Sequence, residues 1–267
     1  MSRTVHISDV DHIRRPILAI GQTYTDGHVI DPHTHRRGQL ISAASGLIVL
    51  TTPTGTWVMP PQRGMWIPPN TTHTVRMVGH VSVQSLYLEP GAVPALPAHC
   101  QVVSMSPFLR ELIGRAIDLP LEYDLEGHAG TVMHLIRHEL ECLPALPLSL
   151  RYPTHRALAE RCRSFMLAPN IHDTIETWSA EIGVSRRTFT RLFRRETGIS
   201  FRAWCQQACL LSALPRLAAR EAVTHVAFDL GYDNPAAFTS MFKRAFGSPP
   251  LTYLGLRTSG TPQGDGL

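Results

Sequence analysis

The chain has 267 residues, of which 43% are hydrophobic and 17% are charged, so it is long enough for two hydrophobic cores. No run of about 18 apolar residues is present, which excludes a membrane-spanning helix, and residues 1–16 lack the apolar core of a signal peptide. The five cysteines form no CxxC pair, so neither a disulfide framework nor a zinc ribbon is indicated, and we expect a cytoplasmic protein.

Charge is divided unevenly between the two halves of the chain. Residues 1–150 contain 10 Arg, no Lys and 12 acidic residues, which leaves a net charge of +6 on residues 151–267. A basic half suggests a polyanion as partner, although a merely solvated surface would carry the same charge.

The N-terminal part of the chain is predicted to form short strands. Segments such as GLIVLTTPTGTWVM (46–59) and HVSVQSLYLEP (80–90) combine β-branched residues, alternation and turn residues. Many short strands with turns between them indicate an antiparallel barrel or sandwich, which we place at residues 1–92. The proline-rich segments 91–107 and 143–153 are interpreted as connections.

A helical period replaces the strand pattern after residue 108. Apolar side chains recur at helical spacing between residues 132 and 143, which predicts an amphipathic helix. This apolar stripe either packs on the barrel or pairs with its copy in a dimer; because its opposite face is charged and a lone barrel would leave apolar surface uncovered, we expect it to be buried in a homodimer. The predicted dimerisation residues are Val132, Leu135, Ile136 and Leu140.

The second half contains one sequence unit twice. IGVSRRTFTRLFRRETG (182–198) and LGYDNPAAFTSMFKRAFG (230–247) align at both glycines, at a Phe-Thr pair and at a basic pair. In each unit an apolar-periodic helix ends at a glycine, and a capping residue, Ser185 or Asp233/Asn234, precedes a second helix. This order predicts two helix-turn-helix units.

The segment that joins the two units, residues 200–220, would be about 30 Å long as a helix. Two recognition helices at that distance fit two successive major grooves of one DNA duplex, which lie about 34 Å apart. Pro215 interrupts this segment, so the spacing depends on how the helix accommodates a proline.

Residues 153–254 resemble the DNA-binding half of the AraC/XylS family of bacterial transcription regulators. The resemblance lies in SRRTFTRLFRRETGISFRAW (185–204), VAFDLGYDNPAAFTSMFKRAFGSPP (226–250) and the closing TYL. It implies that exposed positions of both recognition helices contact bases. The second helix offers only short side chains at these positions, which suit contacts with the DNA backbone or with thymine methyl groups. The predicted DNA-binding residues are Ser185, Arg186, Arg187, Thr190, Arg191, Arg194, Arg195, Asn234, Ala236, Thr239, Ser240, Lys243 and Arg244.

The N-terminal half resembles a cupin, the β-barrel that many regulators of this family use as an effector domain. The resemblance lies in GHVIDPHTHRRGQLISAASG (27–46), which has the spacing of the first cupin motif, and in PPNTTH (68–73), which has the histidine of the second. The chain departs from the family at three positions: Gln39 replaces a Glu, Asn70 a Gly and Met77 an Asn.

Strand alternation puts His33 and His35 on one face, so a strand that brings His73 opposite them would assemble three imidazoles. With Gln39 as an oxygen ligand, such a set suits a divalent transition metal, namely Zn, Ni, Fe or Cu. Packed, hydrogen-bonded structural histidines are the alternative. Arg36 and Arg37, beside the motif, would attract an acidic effector or belong to the charged surface.

The predicted fold is α+β, with a cupin β-barrel (1–92), a linker with dimerisation helices (93–150), an all-α double helix-turn-helix domain (151–256) and a flexible tail (257–267). The predicted function is a non-enzymatic, homodimeric activator or repressor that binds operator DNA under the control of a small-molecule effector, and that contacts RNA polymerase if it activates. The alternatives are a metal-cupin enzyme fused to a DNA-binding tail, and an architectural DNA binder without an effector.

Overall fold

The computed structural model describes residues 7–59, 63–146 and 149–254. Its strands are β1 (Ile17–Tyr24), β2 (Val29–His33), β3 (Gly38–Thr52), β4 (Gly55–Met59), β5 (Arg63–Ile67), β6 (His73–Leu88), β7 (Gln101–Ser104), β8 (Ala145–Leu146) and β9 (Ser149–Arg151). Its helices are α1 (Ile7–Val10), α2 (Pro107–Ile117), α3 (His128–Glu141), α4 (Arg156–Leu167), α5 (Ile175–Glu181), α6 (Arg186–Thr197), α7 (Phe201–Ala218), α8 (Val223–Asp229), α9 (Pro235–Phe246) and α10 (Pro250–Tyr253). The predicted tail at 257–267 lies outside the described residues. Across the described ranges no helix combines the length and the hydropathy that crossing a membrane requires.

Two long strands, β3 and β6, organise the antiparallel sheet. They pair from Gly38 opposite Leu88 to Thr51 opposite Thr74, with register shifts around Gly46. Gly46 has φ 73°, and a Cβ there would lie 2.6 Å from the Val81 side chain, so the bulge requires glycine. One half of β3 pairs with β5 and the other half with β4, as is typical of a jelly roll. The predicted antiparallel β-domain is confirmed, although no pairing among the described residues closes the sheet into a ring.

Two segments that the sequence indicated as connections contribute strands to this sheet. β7 pairs with β5, and β9 pairs with β4, placing Gly55 opposite Arg151. The interpretation of these segments as plain connections was wrong because short apolar stretches between the prolines are buried, Val102 and Leu150 among them. The last strand of the sheet therefore leads directly into the helices of the second half.

The predicted dimerisation stripe is buried within the chain itself. Val132, Ile136 and Leu140 pack in one cluster with α2 and with residues of β1, whereas Leu135 is 42% exposed. The prediction that this stripe is free for a second copy was therefore wrong for three of its four residues. The reason is that α2 packs against α3 and, together with the sheet, supplies the cover that the sequence pattern assigned to a partner.

The two predicted helix-turn-helix units are present as α5–α6 and α8–α9. The turns contain Gly183 and Gly231, with φ values of 68° and 83° in the left-handed region that favours glycine. The first unit encloses an aromatic cluster around Trp178, with Phe189 and Phe193 fully buried beside it. The two units are capped differently: the Thr174 hydroxyl caps α5, whereas Ala222 at the start of α8 offers no side-chain acceptor.

Helix α7 joins the two units and also contacts the sheet. Its 18 residues span about 27 Å, and Pro215 is accommodated in its last turn, so the helix continues through the proline. The Trp204 indole nitrogen donates a hydrogen bond to the Arg151 carbonyl in β9, with 3.2 Å between nitrogen and oxygen. α7 therefore contacts both DNA-binding units and the β-domain.

We predict that Ile136→Asp and Leu135→Asp have very different effects on stability. Ile136 is fully buried, so a carboxylate there would lack water and any partner, and we expect a loss of at least about 3 kcal/mol. Leu135 is exposed, and we expect its substitution to cost less than about 1 kcal/mol. Thermal denaturation followed by circular dichroism checks both variants; equal melting temperatures would contradict the buried position of the stripe.

Candidate nucleic-acid interface and candidate metal centre

The first recognition helix, α6, is fixed at both ends and along one face. The Ser185 hydroxyl accepts a hydrogen bond from the Thr188 amide at 3.2 Å, and the helix ends at Gly198 with φ 79°. Phe189 and Phe193 are buried against the rest of the unit. These contacts hold the opposite face of α6 toward solvent.

That opposite face presents a row of positive charge. Arg187, Arg191 and Arg194 are exposed at i, i+4 and i+7, and among the described residues none has a hydrogen-bond or ion-pair partner for its guanidinium. By contrast, Arg186 lies 2.8 Å from Glu176 and Arg195 lies 3.2 Å from Glu196. The structure thus separates three free arginines from two that are already paired.

The remaining predicted residue of α6, Thr190, is exposed and donates its hydroxyl hydrogen to the Arg186 carbonyl at 2.9 Å. Its methyl group therefore remains available for an apolar contact with a base, while its hydroxyl is engaged in the helix.

The second recognition helix, α9, has the same construction with different surface chemistry. The Asn234 side-chain carbonyl accepts from the Ala237 amide at 2.8 Å, and Phe238 and Phe242 are buried. Its outer side chains are short or basic: exposed Ala236 and Ser240, half-buried Thr239, and exposed Lys243 and Arg244. Ser185 and Asn234 therefore act as helix caps, and the basic residues near the end of α9 carry its free charge.

The three predicted metal-ligating histidines lie together in the β-domain. β2 pairs with β6 so that His33 stands opposite His73, and His35 follows on the short connection to β3. The ring centroids of His33 and His73 are 4.2 Å apart, and those of His35 and His73 are 5.2 Å apart. One ligand atom from each ring lies within 4.8 Å of the others, so the cluster could hold a metal ion.

Hydrogen bonds fix the tautomer of all three rings. Each Nδ1 lies close to a backbone carbonyl: His33 at 2.8 Å from Asp31, His35 at 2.6 Å from Arg37, and His73 at 2.8 Å from Thr71. A carbonyl oxygen only accepts, so Nδ1 carries the proton and each Nε2 keeps its lone pair. The Nε2 of His73 is buried and has no hydrogen-bond partner among the described residues.

Gln39 adds an oxygen to this cluster. Its side-chain nitrogen donates to the Ser85 hydroxyl at 3.0 Å and to the Tyr87 hydroxyl at 3.1 Å, which turns its carbonyl oxygen to within 3.2 Å of His35 Nε2. When His35 is protonated on Nδ1, its Nε2 and the Gln39 carbonyl oxygen are both acceptors and repel each other. A cation between these two atoms would remove that repulsion. The donor set therefore fits a divalent transition metal.

Burial keeps these imidazoles in the neutral form that metal coordination requires. Desolvation is the main reason why the pKa of His73 is lowered to about 4; the neighbouring His33 and His35 contribute to the lowering, and the hydrogen bond to the Thr71 carbonyl opposes it. Desolvation also lowers the pKa of His35. Both rings are therefore uncharged at neutral pH and have lone pairs available for a ligand.

Arg36 and Arg37 do not form a free basic surface beside the histidines. The Arg37 side chain is 0% exposed and contacts Asp11 at 3.0 Å and Glu89 at 2.6 Å. Arg36 contacts the same two carboxylates, and its hydrogen bond is the main reason why the pKa of Glu89 is lowered. Arg37 fits neither interpretation from the sequence, because it is buried, whereas Arg36 lies at the surface with its side chain 46% exposed; both arginines tie the N-terminal segment to the end of β6.

Sequence reasoning did not identify Ser85 and Tyr87, which orient Gln39, or Asp11 and Glu89, which neutralise the arginines. Ser85 and Tyr87 alternate on β6, so their common face was readable from the pattern. Their position opposite Gln39 depends on the β3–β6 register, which no local signal specifies.

Comparison with known proteins agrees with this two-part construction. Residues 178–255 match a helix-turn-helix domain, and residues 16–166 match the AraC-like ligand binding domain. The HTH-type transcriptional regulator NimR of Escherichia coli (strain K12) is 33% identical over 239 residues, which cover 90% of this chain and 87% of that protein.

Among solved structures, ToxT from Vibrio cholerae O395 bound to (E)-4-(8-methylnaphthalen-1-yl)but-3-enoic acid is 8% identical, with a TM-score of 0.39 and coverage of 91% of this chain and 99% of its own. The DNA-binding domain of AdpA, in complex with a target DNA, is 30% identical, with a TM-score of 0.34 and coverage of 39% and 91%. Because the ligand-binding family spans more than half of the chain and NimR matches nearly all of it, the chain belongs to the AraC family and is a DNA-binding transcriptional regulator with an N-terminal ligand-binding domain.

Proposed function

We propose that this regulator reads its operator mainly through α6 and responds to a small anionic molecule at a divalent metal held by the histidine cluster. The observation that carries the sensor proposal is the buried Nε2 of His73, which has no hydrogen-bond partner in the part of the chain that the structure describes and lies close to two further imidazoles. In this proposal the chain works as a homodimer in the cytoplasm, is not an enzyme, and contacts RNA polymerase if it activates transcription.

Reading by α6 is supported by its free arginines. An arginine can donate two parallel hydrogen bonds to the O6 and N7 atoms of guanine in the major groove, and Arg187 and Arg191 are exposed and unpaired on the outward face. The α9 side chains at corresponding positions, Ala236, Thr239 and Ser240, provide no such pair of donors. The second unit therefore adds affinity more than sequence preference.

The sensor proposal follows from the charge of the donor set. His33, His35 and His73 would hold a divalent ion through Nε2, and Gln39 through its carbonyl oxygen. All four are neutral, so the ion would keep its +2 charge and would attract an anionic ligand, for which it supplies Lewis-acid coordination. A Glu at position 39 would cancel one of these charges.

The β-domain that carries the histidine cluster shares a packed core with α7. Interior residues of the sheet such as Leu50 and Trp57 belong to the same buried cluster as Trp204 and Leu214 of α7. An effector that binds two arrangements of this core with different affinities would shift the position of the recognition helices, as a population-shift mechanism requires.

We predict that Arg187→Ala and Arg191→Ala each lose about 1–3 kcal/mol of binding free energy at a specific DNA site and relax its sequence preference. Lys243→Ala is expected to weaken binding to all sequences alike. The control is Arg186→Ala, because Arg186 lies on the same helix but is already paired with Glu176. Fluorescence anisotropy with a duplex selected from a random pool by the wild-type protein, and with a scrambled duplex, measures both effects. An unchanged preference in the first two variants would show that α6 does not read the bases.

We predict that protein purified without an affinity tag contains one transition metal per chain by elemental analysis. His33→Ala with His35→Ala should remove the metal and the response to an anionic effector, whereas His28→Ala, which changes a histidine outside the cluster, should retain both. Gln39→Glu should bind the metal more tightly, because its carboxylate cancels one charge, and should respond less to an acidic effector.

The opposite result is equally specific. If the untagged protein holds no stoichiometric metal and a chelator leaves the effector response unchanged, the three histidines are structural. Turnover of a substrate by the metal-loaded protein would instead favour a metal-cupin enzyme with a DNA-binding tail.

A further inference from the structure

A cleft of about 440 Å³ lies between α7 and α9, beside the second recognition helix. From α7 it is lined by Arg202 and Gln206, and from α9 by Ser240 and Arg244. The turn before α9 closes one side with Tyr232 and Asp233. The cleft lies outside both the histidine cluster and the predicted base-reading positions of α6.

Two free guanidinium groups line this cleft. Arg202 and Arg244 are both exposed, and within the described ranges neither has a hydrogen-bond or ion-pair partner for its side chain. By contrast, Arg216, at the other end of α7, is neutralised by Glu221 and Asp229. The carboxylate at the cleft, Asp233, is 87% exposed and lies 3.7 Å from His172. Two unneutralised cations in one concavity favour an anion as ligand.

The position of the cleft on α9 relates it to DNA. Ala237, Ser240 and Arg244 follow each other at helical spacing on the face of α9 that lines the cleft, whereas Ala236 and Lys243 lie on the neighbouring face. A recognition helix in a major groove is flanked by the phosphates that border that groove. An anion held by Ser240 and Arg244 would therefore occupy the position of one of these phosphates.

We propose that the cleft between α7 and α9 binds one phosphate of the DNA backbone at the edge of the major groove that α9 enters. Arg202 and Arg244 are the charged donors, and the Ser240 hydroxyl is the neutral one. The proposal rests on the proposed operator binding and adds to it a sequence-independent anchor, which suits a unit whose own base-reading side chains are short.

The first test is Arg202→Gln in the full chain, with Arg156→Gln as the matched control. Arg156 is an exposed arginine of α4, outside both helix-turn-helix units, and its side chain is 91% exposed. We expect Arg202→Gln to weaken binding by on the order of tenfold to both the selected and the scrambled duplex, and to reduce the salt slope by about one, with no change in the control.

The second test identifies the phosphate. The selected duplex is synthesised with one phosphate at a time replaced by a neutral methylphosphonate. The replacement near the second groove that weakens DNA binding by the wild-type protein most is then measured with Arg202→Gln as well. We expect the two losses not to add, because both remove the same contact.

Several results would overturn the proposal. If Arg202→Gln behaves like Arg156→Gln while Arg187→Ala still loses sequence preference, the cleft does not bind DNA although α6 reads it. Fully additive losses at every methylphosphonate position would exclude a shared contact. Displacement of DNA by inorganic phosphate, but not by chloride at equal ionic strength, in the wild type and not in Arg202→Gln would assign the cleft to a free anion instead.

Discussion

The burial of α7 is the constraint on which the rest of the molecule depends. This helix packs against the aromatic cluster of the first unit, connects it to the second, and contacts β9 through Trp204 and the Arg151 carbonyl. Its interior positions combine bulky residues with small ones, such as Ala208 and Cys209, that let the neighbouring elements approach closely. One helix therefore contacts the β-domain and both DNA-binding units.

Ion pairing separates structural from functional charge in this chain. Arg37 is fully buried and compensated by two carboxylates, and Arg161 bridges Asp173 and Glu181, so both hold elements together. The arginines on the outward face of α6 and in the α7–α9 cleft have no such partners among the described residues. An uncompensated arginine gains more from a phosphate or a base than a paired one, which must first lose its partner.

The sequence specified the helical half almost completely, because its signals are local. Glycines, caps and apolar period located both helix-turn-helix units, and the cap residues Ser185 and Asn234 act as the pattern predicted. The three histidines also converge as expected, but not through strand alternation, because β2 ends at His33 and His35 lies on the connection to β3, while the β2–β6 pairing brings His73 opposite His33. The predictions that failed concern contacts between residues far apart in the sequence. No periodic pattern in the sequence indicates that α2 covers α3, that strands form between the prolines, or that Arg37 pairs with Asp11 and Glu89.

The unequal capping of α5 and α8 makes the two DNA-binding units unequal in order. α5 begins with a hydroxyl cap and carries the fully buried Trp178, whereas α8 follows the cap position Ala222 and carries Phe228 at 55% exposure. Without a side-chain cap, α8 leaves one more backbone amide unsatisfied at its start than α5 does, so its first turn opens at a lower free-energy cost.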